Sequence, residues 1–251
     1  MSSSPIVLPS NFKLSNVSFK DPRKNASGGQ SVLLNYQNDN GKNGPLIMQT
    51  PKLRLPFGPD ISEPEGGGAK RLSINGSLAH SDSTNLSLKM FSEIIKQLDM
   101  FTKKIAVENS EVWFGKKQKL EVLEEFYKSA EKKSKNDKYP STLKMKLPYK
   151  TVSDKIVPQF DIYNESKEPV EVVIDNDIDL SCLEKGSEVV AILQCTGVWF
   201  VGKTQFGLGW KVVQLKTYRN QKLIGYSIVD DDPEEVLEEE VLEEEVEEEP
   251  E

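Results

Sequence analysis

From Asp230 to Glu251 the chain carries fifteen carboxylates and not one basic residue. A block so charged cannot bury apolar surface, which predicts a disordered, solvated acidic tail over 230–251 rather than part of any core. Its valines recur every five residues (Val236, Val241, Val246), a spacing that matches no helical face. The other 229 residues hold 32 Lys+Arg against 25 Asp+Glu, so a body of net charge +7 carries a polyanion as a separate segment. Such a tail either only aids solubility or mimics nucleic acid, lying on the basic body until a real polyanion or a partner displaces it. The charge asymmetry favours the second reading.

The body has the apolar content for a sizeable core, 37% of 251 residues being hydrophobic. No apolar run approaches the roughly 18–20 residues that cross a bilayer, and Met1–Ile6 lacks the layout of a signal peptide, so a soluble intracellular protein is expected. Cys182 and Cys195 make neither a disulfide framework nor a metal site. His80 stands alone, which removes most zinc chemistry and any paired-histidine mechanism. Neither an enzyme nor a cofactor or metal is expected.

Residues 1–30, rich in Ser, Asn, Pro and Lys, predict a flexible N-terminal arm with one short strand near Phe12–Phe19. Strand patterning follows over Ser31–Tyr36, Leu46–Leu55 and Arg71–Leu78, with a flexible connection at Gly66–Gly68. The period then changes. Phe91, Ile94, Ile95, Leu98, Phe101 and Ile105 step by three and four, the stripe of a long amphipathic helix over Leu86–Val107, with Ser83, Thr84 or Asn85 as N-cap. A second helix is predicted over Lys119–Lys133, so the helical insertion covers about 84–135. Strands return at Thr142–Leu147, Gln159–Tyr163, Val170–Ile174, Glu188–Cys195, Val198–Val201, Trp210–Tyr218 and Leu223–Val229. Many short strands around one inserted helix point to a mainly β fold, an antiparallel OB-like barrel or sandwich over 31–229.

Gly197-Val-Trp-Phe-Val-Gly202-Lys203-Thr204 satisfies the letters of a phosphate-binding loop. Its four intervening residues are bulky or β-branched and favour extended backbone, and Gly207 and Gly209 follow where a helix would have to open. A strand, a turn and a returning strand are expected instead. Asp175–Asp179 spaces three carboxylates like a calcium loop but has Leu180 where the glycine belongs, so it reads as an acidic turn.

What remains is cations interleaved with aromatics. Trp199, Lys203, Phe206, Trp210, Lys211, Lys216 and Tyr218 fall around one hairpin; Lys52 and Arg54 lie on another strand, Lys144, Lys146 and Tyr149 on a third. Trp113, Phe114, Lys116 and Lys117 sit between the helices. Single-stranded nucleic acid wants this mixture, cations for phosphates and flat rings for bases. Lys52, Arg54, Arg71, Lys203, Lys211 and Lys216 are the expected phosphate contacts, and Trp199, Phe206, Trp210 and Tyr149 the expected stacking rings. Some of the rings must also fill the core.

Leu53-Arg-Leu-Pro-Phe-Gly58, Arg71-Leu-Ser-Ile-Asn-Gly-Ser-Leu78, the helix with Leu98-Asp99, and Gly197–Gln214 form an ordered set. In it the chain resembles the single-stranded DNA-binding proteins of nucleocytoplasmic large DNA viruses, a family similar to those of short-tailed phages. The resemblance spans roughly residues 30–230. It implies an oligonucleotide-binding barrel with an inserted helix, a mobile acidic tail, and a non-enzymatic role on single-stranded DNA in viral replication, recombination or repair. It also implies replication proteins as tail partners and a viral replication compartment in host cytoplasm or nucleus, or the virion, as location. Phage relatives tend to end on an aromatic residue, whereas this chain ends Glu249-Pro250-Glu251. A chaperone of histones or other basic proteins, working through the tail, is the competing expectation. No membrane partner is expected, and homodimerisation is left open.

Overall fold

The computed structural model describes residues 6–24, 28–63, 70–78, 85–134, 136 and 139–218. The acidic segment 230–251, the expected strand Leu223–Val229, the connection Gly66–Gly68, the caps Ser83 and Thr84, and His80 lie outside the described residues.

Strands β1 (Val17–Lys24), β2 (Gln30–Gln37) and β3 (Asn43–Pro45) form an antiparallel meander. β4 (Ile47–Gln49), β5 (Leu53–Arg54), β6 (Asp60–Ser62) and β7 (Arg71–Ser77) follow. The helical insertion is α1 (Leu86–Glu108), α2 (Ser110–Phe114) and α3 (Leu120–Phe126). Behind it come β8 (Glu131–Lys132), β9 (Thr142–Lys146), the hairpin β10 (Tyr149–Val152) and β11 (Lys155–Pro158), then β12 (Asp161–Tyr163). A second small hairpin, β13 (Val173–Ile174) and β14 (Asp177–Ile178), precedes the long pair β15 (Glu188–Val201) and β16 (Gln205–Tyr218).

The main sheet runs β1-β2-β15-β16-β9-β7-β6, with β4 and β5 also on β15. Most pairings are antiparallel; β12 and β9 meet β16 in parallel. The sheet curls until β5 reaches β7, where a Cβ on Gly76 would lie 2.8 Å from Leu53 Cδ1. This is the expected OB-like, mainly β barrel with one long helix. Its interior is filled by alternating residues such as Leu72, Ile74, Leu143, Met145, Trp210 and Val212.

Asn85 caps α1, its side chain accepting from the Leu88 N–H at 3.0 Å. The insertion packs on the core face of the β15–β16 tip through rings: Trp113 to Phe200 at 5.8 Å, Phe114 to Phe206 at 5.1 Å, Tyr127 to Phe206 at 5.1 Å. No helix among the described residues is long and apolar enough to cross a membrane.

Three expectations are corrected. The one short strand expected near Phe12–Phe19 of the N-terminal arm lies at Val17–Lys24 and belongs to the sheet, because Val17 and Phe19 pair with Tyr36 and Leu34 of β2. The second helix stops at Phe126 instead of running to Lys133. Tyr127 bridges to Phe206 and the Lys128 N–H donates to the Phe206 carbonyl at 2.7 Å, so sheet pairing takes the backbone that helix would have used. Glu188–Cys195 and Val198–Val201 are one strand, bulged between Cys195 and Gly197.

Asp99, on the buried face of α1, accepts from the Tyr127 hydroxyl at 2.5 Å and from the Ser129 hydroxyl, which ties the insertion to the chain leaving α3. Burial raises its pKa above the ordinary aspartate value, outweighing the two hydroxyl donors. A raised carboxyl contributes stability that is complete below its unfolded pKa and is lost as pH rises through the folded one. Asp99→Asn keeps an acceptor and adds a donor that either hydroxyl can accept. It is therefore expected to stabilise the protein against urea at neutral pH, with the gain vanishing as pH falls toward the unfolded carboxyl's value; a gain that grows in acid contradicts the assignment.

Candidate nucleic-acid interface

Residues directly opposite across paired strands share one face of a sheet. Lys211 on β16 lies opposite Lys146 on β9, Lys146 opposite Ser73 on β7, and Ser73 opposite Asp60 on β6. Since Trp210, Met145, Leu72 and Ile74 point into the core, this row lies on the outside of the barrel. Arg71 and Lys144 share that face, and Tyr149 and Thr196 complete the walls of an open cavity of about 520 Å³.

The charges there are unevenly matched. Lys144 Nζ meets Asp60 Oδ2 at 3.0 Å, and this bond is the main reason the Asp60 carboxyl is held below its ordinary pKa. Arg71, Lys146 and Lys211 have no ion-pair partner among the described residues. Lys146 keeps solvent contact, yet its ammonium is held below the usual lysine range, first by partial desolvation between the groove walls, then by the charges of Arg71 and Lys144. An anion seated there relieves that repulsion.

Trp199 borders this surface. It lies opposite Gly207 in register, and Gly207, Gly209 and Lys211 alternate onto the outer face of β16. A Cβ on Gly207 would sit 2.2 Å from the Lys128 carbonyl oxygen and 3.1 Å from Trp199 Cζ2, and one on Gly209 would sit 3.4 Å from Trp199 Cδ1 and 2.4 Å from Thr196 Oγ1. The two glycines thus form a bed on which the indole rests, half-buried, next to Thr196 of the groove. The bulge at Cys195–Gly197 makes this possible: Thr196 is the extra residue, and the change of register turns Trp199 outward while Val198 enters the core.

The ten site residues expected from sequence divide into groups. Arg71, Tyr149 and Lys211 come together in the groove, with Trp199 at its border. Phe206 and Trp210 do not join them: at 0% and 2% exposure both rings are core, Phe206 packed by Phe114 and Tyr127, so in this fold neither offers a face to a base. Lys52, Arg54 and Lys216 lie at the other end of the hairpin. Arg54 is opposite Glu188, Lys52 pairs with Glu188 at 3.2 Å, and the Lys52 and Lys216 ammonium groups stand 4.0 and 5.1 Å from the Tyr218 ring. Glu188 is eleven residues along β15 from Trp199, roughly 36 Å at about 3.3 Å per residue. Lys203 sits in the hairpin turn, beside the α2–α3 loop. The Gly197–Thr204 segment is strand and turn with strand after it, as expected, with no helix opening at Lys203.

Lys146 and Thr196 were missing from the expected set. Lys146 was legible as one of two alternating lysines in Thr142–Leu147; Thr196 was not, since only the bulge brings it into the groove.

The molecule is thus a curled OB-like barrel with an inserted helix and a basic outer face bordered by a ring. The chain belongs to the family of unknown function DUF5871, whose model matches residues 74–236. No curated protein matches it. Among solved structures it is similar to gp2.5, a single-stranded DNA-binding protein encoded by bacteriophage T7, at 8% identity and a TM-score of 0.46, covering 74% of this chain and 98% of that one. It is also similar to the single-stranded DNA-binding protein of bacteriophage Enc34 in complex with ssDNA, at 13% identity and a TM-score of 0.42, covering 82% and 98%. At this level of likeness the chemistry of the site rests on its own residues.

Proposed function

We propose that the protein binds single-stranded DNA without sequence preference, as a non-enzymatic coat in viral DNA replication, recombination or repair. The observation that carries this reading is one outer face on which Arg71, Lys146 and Lys211 have no ion-pair partner among the described residues and Trp199 rests against Gly207 and Gly209. Unpaired cations favour a phosphate backbone and release its counterions on contact, while a ring backed by glycine is held ready for a base at little entropic cost. Base–ring stacking contributes about 1–3 kcal/mol per base and tolerates any sequence. The acidic segment 230–251 acts in this reading as a competitor for the same cations, or as a handle for replication proteins.

Deleting 230–251 is expected to tighten oligothymidine binding by about an order of magnitude at low ionic strength, with the difference shrinking as salt screens the carboxylates. Fluorescence anisotropy with a labelled oligothymidine measures this. Equal affinities for the full and shortened chains at low salt would remove the competing role and leave the groove reading standing.

A further inference from the structure

A second basic cavity lies at the tip of the β15–β16 hairpin, where the helical insertion meets the turn. It has a volume of about 340 Å³, and Lys116, Gln118, Phe126, Lys203 and Thr204 are among its walls. The loop that builds it is fixed. Gly115 closes α2 at φ +77° with its N–H on the Glu111 carbonyl at 2.8 Å, and the Gln118 N–H donates to the Ser110 hydroxyl at 3.1 Å. Lys203 reaches across the gap, so that a Cβ on Gly115 would lie 3.6 Å from its Nζ. Lys117 and Lys119 flank the loop and are exposed.

None of these four ammonium groups has an ion-pair partner among the described residues. Like charges gathered on a rigid frame without counter-charge repel one another, and an anion relieves the repulsion. Phe126, half-buried at the wall, adds a ring to the cations, the combination found in the groove. Trp199 and Lys203 are four residues apart on one hairpin, at most about 13 Å at roughly 3.3 Å per residue since the chain turns after Val201, so a strand stacked on Trp199 has its neighbouring phosphates within reach of the tip.

We infer that this cavity is a second phosphodiester-binding subsite, in which Lys203 and Lys116 hold the backbone of a polynucleotide that has passed over Trp199. The inference rests on the single-stranded DNA reading and extends it from the barrel face to the inserted helices. It also gives Lys203 a role that needs no nucleotide-hydrolysing loop: its turn presents an amine, not a cradle of backbone N–H groups.

The test uses the full chain, the double variant Lys116→Gln/Lys203→Gln, and oligothymidines of about 4 and about 16 nucleotides, the limits for one OB-type barrel. Both lysines are exposed, so the variant is expected to fold. The expected result is about a tenfold loss for the long oligonucleotide, with a salt slope lower by about one to two, at roughly 0.7 per phosphate contact, and a change within about twofold for the short one. Equal losses at both lengths, or none at either, overturn the subsite. Binding of ATP that disappears in the variant while the long oligonucleotide is unaffected also overturns it, in favour of a free nucleotide. If neither length binds the unaltered protein, the DNA reading fails with it; if both bind and only the length dependence is missing, the subsite alone fails.

Discussion

Changing Arg71, Lys146 and Lys211 together to glutamate is expected to weaken oligothymidine binding by about a thousandfold at moderate salt and to lower the salt slope by about two, at roughly 0.7 per phosphate contact. The three cations lie on one outer sheet face, Lys211 opposite Lys146 and Arg71 along β7, and none is neutralised by a neighbouring carboxylate among the described residues. Reversal therefore removes three phosphate contacts and installs three repulsions on the same surface. Folding should survive, because none of the three is buried. The control is Lys52→Glu/Lys216→Glu at the far end of the hairpin, where Lys52 is already paired with Glu188; a loss below about tenfold is expected there. Equal losses for the two variants would mean that affinity follows net charge, not the groove.

Gly197→Ala is expected to destabilise the protein by about 3 kcal/mol or more and to lower its Tm by roughly 10 °C. Gly197 holds φ +87° at the bulge, and a Cβ there would lie 2.2 Å from the Val32 carbonyl oxygen and 2.9 Å from Leu33 Cα, both backbone atoms of β2 that cannot rotate away. A side chain must either push β2 from β15 or flatten the bulge. Flattening slips the register by one residue and exchanges the faces of Thr196 through Val201. Stability and DNA binding should fall together in this variant, as read by urea unfolding and anisotropy. A Tm within about 2 °C of the unaltered protein contradicts the packing described for the bulge.

Much of this architecture is legible in the amino-acid order. Alternation in Arg71–Leu78 and Thr142–Leu147 gives strands, and the three-and-four spacing of Phe91 through Ile105 gives the long helix. On β16 the alternation even states which rings are core: Phe206, Leu208, Trp210 and Val212 take turns with Gly207, Gly209 and Lys211. That period-two pattern places Phe206 and Trp210 in the core, against their expected role as base-stacking rings. On β15 no such pattern is visible, because Val198, Trp199, Phe200 and Val201 are all apolar and a one-residue bulge resets the faces just before them. The fate of Lys119–Lys133 was equally out of reach, since helix propensity there yields to a bridge with Phe206, some eighty residues away in sequence. Conformations set by distant partners leave no local signature.

Intrinsic fluorescence during titration with oligothymidine, in the unaltered chain and in Trp199→Phe, tests the interface most directly. Trp113 and Trp210 are 5% and 2% exposed, so only Trp199 can meet a base. Quenching that fades with rising salt is expected in the unaltered protein and none in Trp199→Phe, which still binds through its cations. Undiminished quenching in Trp199→Phe would rule out stacking on Trp199, because the quenched ring would then be one that the fold seals inside.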